Sequence, residues 1–145
     1  MKVVFAGTPA FAVPSLEAIL AAGHEVVGVV TQPDAPQGRK GVLTPPPVKE
    51  AALAHALTVL QPEKIRLETE KLRALGADVM VTCAYGQILT EDVLDSFPLG
   101  VYNVHASLLP KYRGASPIQW AVLNGDETTG ITVMKTELGL DTGDI

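Results

Sequence analysis

The chain has 145 residues, enough for one domain around one hydrophobic core. Apolar residues make up 47% and the net charge is −5, which excludes disorder and broad nucleic-acid binding by the whole surface, though not a local basic patch. The single cysteine excludes an internal disulfide and a cysteine-built zinc site, and no run of about 20 apolar residues offers a membrane span.

"MKVVFAG" enters a strand pattern directly, with no signal-peptide layout, so a cytoplasmic protein is the expectation. "KVVFA" is a β-branched run ending at Gly7 and predicts a buried strand. Leu16, Ile19 and Leu20 then fall at helical spacing, and Gly23 suits a left-handed helix stop. "EVVGVVT" is a second apolar run. Strand, helix, strand in about 30 residues is a βαβ unit, and strands apolar on both faces predict a parallel sheet covered on both sides.

Residues Gln32 to Pro47, "QPDAPQGRKGVLTPPP", break this rhythm and read as a long loop with Arg39 and Lys40 at its middle. Loops of that length inside a domain are usually functional or mobile. Helical spacing resumes at Val48, Ala51, Ala52 and Ala56. A short strand "TVL", a helix "ETEKLRALG" and a strand "ADVMVTCA" follow. Cys83 lies in that last apolar run and reads as an inert buried thiol. "TEDVLDSF" has Thr90 as a capping residue and acids in its first turn. "GVYNV" is the next strand. Ser116, Pro117 and Gln119 then mark another helix start, Asn124-Gly125 its end, and "TGITVMKT" a further strand. No repeat, low-complexity tract or linker divides the chain. It stops at "GLDTGDI" with no closing helix pattern, so it is expected to be a fragment of a longer protein.

"NVHASLLPKYRG" carries the chemistry. Side chains two apart on a strand share a face, so Asn103 and His105 are expected to project together. They stand at the carboxyl end of a predicted parallel strand, where open α/β sheets bind ligands. An amide donates in a fixed geometry, and an imidazole exchanges a proton near neutral pH. Together they can stabilise an oxyanion and manage a proton, as acyl transfer requires. An acid to orient the imidazole is available in "ELGLDTGDI", which holds Glu137, Asp141 and Asp144. By spacing alone, His105 also fits a core histidine, Asn103 a turn former, and "GLDTG" an ordinary turn. His24 and His55 read as helix-end and exposed helix residues, and Trp120 as core.

"NVHASLLPKYRGASPIQWAVLNGDETTGITVMKTELGLDTGDI" resembles the folate-dependent formyltransferase family. "FAGTPAFAVPSLEAIL", "VVTQPDAPQGRKG", "PPPVKEAA" and "VMVTCAYGQIL" resemble it too, in order along nearly the whole chain. The resemblance is to the branch whose formyl acceptor is initiator methionyl-tRNA. It implies an α/β fold with a Rossmann-like, mostly parallel sheet and helices on both faces. Residues 1–145 would be the N-terminal part of the catalytic domain, lacking its end and the C-terminal tRNA-binding β-barrel. The implied reaction transfers formyl from 10-formyltetrahydrofolate to the methionine amine, for translation initiation, without a metal. Catalytic roles fall on Asn103, His105 and Asp141. Folate contacts fall on Ser107, Leu108, Leu109 and Pro110, and the pterin wall on Cys83 to Ile88 and Leu138 to Asp141. Arg39 and Lys40 match the loop that meets the tRNA acceptor end. The full-length protein is expected to be monomeric.

One departure is Ala106, where the family is expected to carry glycine. Related Asn/His/Asp sites keep other readings open. These are a glycinamide ribonucleotide or sugar-amine formyltransferase, and a formyltetrahydrofolate hydrolase. From another class, a noncatalytic nucleotide-binding module is opposed by "AGTPAF", which lacks the spaced glycines a dinucleotide needs. A folded but inactive piece is the last alternative.

Overall fold

The run "KVVFAG" forms the first strand, β1 (Lys2–Gly7), and is buried from Val3 onward. The computed structural model describes residues 1–106 and 131–136, with His105, Ala106 and 131–135 as strand backbone. After β1 come a short 3-10 helix (Ala10–Ala12), α1 (Val13–Ala21) and β2 (Glu25–Val30). A β3 (Ala35–Gln37) and β4 (Val42–Thr44) hairpin precedes α2 (Pro47–Ala54) and β5 (Val59–Leu60). A 3-10 turn (Ile65–Leu67), α3 (Thr69–Ala74), β6 (Val79–Cys83), α4 (Glu91–Leu94), β7 (Val101–Ala106) and β8 (Ile131–Thr136) complete the described chain.

The main sheet runs β5-β2-β1-β6-β7-β8. Its first five strands are parallel, and β8 pairs antiparallel with β7. Alternation along β1 divides the core. Val3 and Phe5 face Leu16 and Ile19 of α1 and Val48 and Ala52 of α2. Val4 and Ala6 face Leu72 of α3, Val93 of α4 and Phe97. Both faces are therefore covered, as the apolar runs predict. Phe5 is wholly buried, which stabilises the fold by about 1.5–3 kcal/mol relative to exposure.

Three local expectations change. Residues 32–47 are not all loop: Ala35, Pro36 and Gln37 pair with Thr44, Leu43 and Val42 in a separate two-stranded hairpin. Gly38 (φ 75°) and Gly41 (φ 61°) bracket its tip, where positive φ is needed. The helical spacing through Ala56 overshoots. The helix α2 ends at Ala54, and Ala56 turns the chain with φ 59°. Thr90 holds the extended N-cap backbone of α4 but makes no side-chain cap bond; Glu91 and Asp92 supply the favourable first-turn charge instead. Gly23 takes the left-handed conformation (φ 89°) expected of it.

Candidate active site

The chain leaves β1 toward β2 on one side and returns to β6 on the other. Loops at the carboxyl ends of strands flanking such a reversal frame a crevice. Here they are tied together by short polar side chains. The Thr8 hydroxyl donates to Tyr85 O (2.7 Å) and accepts from the Gln32 N–H (3.4 Å). Gln32 Nε2 donates to Gly86 O at 3.1 Å. Gln87 Nε2 donates to Gln32 Oε1 (2.8 Å) and Pro62 O (3.1 Å), while its Oε1 accepts from the Ile65 N–H (2.7 Å). The segments after β1, β2, β5 and β6 are thus one hydrogen-bonded assembly.

The turn after β6 is strained and two-sided. Ala84 (φ 53°) and Gly86 (φ 107°) both lie at positive φ. Non-glycine residues avoid that region, and such strain concentrates at functional sites. Ala84, Gly86 and Ile88 face out, with Ile88 88% exposed, while Tyr85 turns into the core. A Cβ on Gly86 would meet Gln32 Nε2 at 2.7 Å, so the glycine lets the glutamine reach across. Burial raises the Tyr85 phenol pKa, and its hydroxyl has no partner among the described residues. Cys83 is buried, with the Ser15 hydroxyl 4.0 Å from Sγ. Burial pushes its thiol up, and the Ser15 bond offsets this only in part, so it stays protonated and inert.

Asn103 stands on the neighbouring strand, third of the six residues of β7, which runs past the expected end at Val104 to Ala106 because it pairs with β8. It is half-buried on β7, in register with Thr82 of β6. The Thr82 hydroxyl donates to Asn103 Oδ1 at 2.8 Å. That bond makes the other edge of the amide the N–H donor edge. Met80 and Val101, two residues earlier on these strands, belong to the apolar core. The same sheet face therefore changes from apolar to polar at its carboxyl end.

A family profile for formyl transferase matches residues 1–145. The chain belongs to the formyl transferase family. It is 56% identical to the methionyl-tRNA formyltransferase of Ruminiclostridium cellulolyticum over 147 residues, 100% of this chain and 47% of that protein. It is 58% identical to that of Bacillus subtilis over 146 residues, 99% of this chain and 46% of that protein. The chain spans about half the length of the curated relatives it matches. Among solved structures, glycinamide ribonucleotide transformylase 1 from Symbiobacterium toebii aligns with TM-score 0.64 and 21% identity, over 99% of this chain and 69% of that one. Formyltetrahydrofolate deformylase from Pseudomonas putida aligns with TM-score 0.51 and 22% identity, over 83% and 43%. These likenesses show the formyltransferase fold, in agreement with the mostly parallel sheet.

In this formyl transferase chain, Asn103 and His105 occupy positions two apart on β7, and His105 pairs opposite Thr132. Ala106 ends the strand opposite Ile131, a paired strand position rather than a turn that demands glycine. Asp141, Ser107, Leu108, Leu109 and Pro110 lie outside the described residues, as do Glu137, Asp144, Trp120 and the Ser116 to Gly125 helix prediction. The Cys83 to Ile88 part of the expected pterin wall is the strained turn; the Leu138 to Asp141 part lies outside. Arg39 and Lys40 are exposed at the hairpin tip, apart from the sheet, and neither makes an ion pair among the described residues. His24 is half-buried past the end of α1. His55 is exposed at the end of α2, with Nε2 3.5 Å from Glu17.

Sequence reasoning gave no role to the side chains of Thr8, Gln32, Gln87 and Thr82. Only Thr82 left a signal, as a hydroxyl inside the apolar run "DVMVTCAYG". Among the described residues no helix is long and apolar enough to cross a membrane, and no group of three His, Cys, Asp or Glu side chains could hold a metal ion.

Proposed function

We propose that the protein transfers a formyl group from 10-formyltetrahydrofolate to the amino group of methionyl initiator tRNA. The observation that carries this is an amide, Asn103 on β7, held by a buried hydroxyl beside the carboxyl end of β6. It occurs in a chain 53–58% identical along its length to methionyl-tRNA formyltransferases.

Residues 1–145 are then the N-terminal part of a catalytic domain, in a protein whose C-terminal barrel helps hold the tRNA. The folate supplies an activated one-carbon acyl group. Asn103 donates to the formyl oxygen as negative charge develops there, which is worth about 10²–10³-fold per donor. The amine attacks the formyl carbon, His105 takes its proton and returns it to the folate nitrogen as the carbon–nitrogen bond to the folate breaks and tetrahydrofolate leaves, and Asp141 orients His105 and stabilises its charged form. Ser107 to Pro110 line the folate. The exposed small and apolar strip Ala84, Gly86 and Ile88 suits one face of a flat ring, two residues along from Thr82. Arg39 and Lys40 reach phosphates of the acceptor end from their hairpin. The enzyme acts in the cytoplasm as a monomer and uses no metal.

An acceptor competition tests this. The full-length protein is given labelled 10-formyltetrahydrofolate with methionyl initiator tRNA, glycinamide ribonucleotide and an amino sugar nucleotide. The reading expects label on the tRNA. Label on either small amine, or only free formate, replaces it with one of the related reactions.

A further inference from the structure

We infer that Thr82 is a positioning residue for the Asn103 amide, a role that rests on the catalytic reading of Asn103. Thr82 is 6% exposed on a central strand of the sheet. Its strand neighbours Val79, Met80 and Cys83 are buried and apolar. At such a place valine fills the same volume without a polar atom, so a hydroxyl must satisfy its hydrogen bond. Among the described residues the acceptor it is given is Asn103 Oδ1, at 2.8 Å on the adjacent parallel strand.

The pairing has a consequence for catalysis. An amide on one rotatable side chain can present either its carbonyl or its N–H edge to a ligand. A donor on Oδ1 holds the amide in place and selects the N–H edge for the opposite direction. An oxyanion donor works because it is oriented before the reaction starts. Thr82 supplies that orientation from the rigid sheet and not from a loop. It acts through Asn103, with no step of its own in bond making.

The test is a double-mutant cycle in the full-length protein, with thermal unfolding followed for every variant. Thr82→Val removes the donor and keeps the shape. It is expected to lower kcat about 10-fold, with KM for the folate and the thermal midpoint unchanged, as a misplaced catalytic group does. Thr82→Ser, which retains the hydroxyl, is expected to restore most of kcat. Asn103→Ala is expected to lower kcat about 10²–10³-fold. On that background Thr82→Val is expected to change nothing further, because the two act through one group.

Full turnover in Thr82→Val overturns the inference while leaving Asn103 catalytic. An undiminished Thr82→Val effect in the Asn103→Ala background overturns it too, since Thr82 then acts by another route. Near-normal turnover in Asn103→Ala removes the catalytic reading and the inference with it. Should Thr82→Val fail to fold, Thr82→Ala takes its place in the cycle, and the same losses of kcat support or overturn the role.

Discussion

On β7 an amide is fastened by a hydroxyl 2.8 Å away on the next strand, whereas at the tip of the β3–β4 hairpin Arg39 and Lys40 stand exposed. The first lies within a sheet strand and the second on the connection that leaves β2, and both hold residues given a part in the proposed reaction. The difference matches what the proposed reaction would ask of each. Stabilising charge on one atom needs a donor already in place, because reorientation during the reaction would cancel the gain. Holding phosphates needs charge and reach, and long cationic side chains supply both without a fixed pose. The hairpin is nonetheless rooted. Just before β3, Asp34 accepts from Gln61 Nε2 (2.7 Å) and pairs with Lys49 Nζ (3.2 Å).

The largest expected effect separates the two regions by kinetics. His105→Ala in the full-length protein should lower kcat about 10²–10⁴-fold, with tRNA affinity little changed. Rapid-quench formylation with saturating tRNA measures it. A variant that turns over nearly normally would remove proton transfer from His105.

A smaller effect of opposite character is expected at the hairpin. Arg39→Ala should weaken tRNA binding severalfold and reduce the salt slope of log K by about 1. Folate affinity should hold. Titrations at two ionic strengths read this directly. If Arg39→Ala lowers kcat as much as His105→Ala does, the two regions form one site and the contrast collapses.

The smallest effect concerns the hairpin's root. The Gln61 hydrogen bond, and then Lys49, hold the Asp34 carboxyl below the usual carboxylate range. A depressed folded pKa means that the unfolded chain binds the proton more readily. The stabilisation is therefore present above the ordinary carboxylate pKa and is lost as pH falls through the folded value. Urea unfolding of Asp34→Asn should show a shallower loss of stability with acid below about pH 4 than the parent. Identical acid limbs would mean that Asp34 does not fasten the hairpin.

Most of the sheet was legible because burial on two faces leaves a mark in composition. "KVVFA", "EVVGVV" and "DVMVTC" are apolar at consecutive positions, and they became β1, β2 and β6. The hairpin was less visible. Its strands are three residues each, exposed except at Thr44, and interrupted by Pro36, so little in their burial distinguishes them from loop. The glycines at 38 and 41 around Arg39-Lys40 were the available cue. The antiparallel direction of β8 could not be read, since composition does not encode which way a strand runs.

The site divides in the same way. Asn103 and His105 stood out as candidates by their two-residue spacing and the motif around them, and what the structure adds is that both positions lie on β7. Thr82 was not, because its partner lies 21 positions away and the register that joins them exists only once β6 and β7 pair. The glutamine ties are non-local too: Gln87 meets Gln32 across 55 positions.

Replacing Asn103 by aspartate separates the amide's acceptor from its donor. The carboxylate keeps an acceptor for the Thr82 hydroxyl and keeps the side-chain shape, but it has no N–H to give. Single-turnover formyl transfer by Asn103→Asp in the full-length protein should fall by at least about 10²–10³-fold, with the thermal midpoint and folate affinity retained. A transfer rate close to that of the parent would contradict the account, because formyl transfer would then proceed without the amide donor on β7.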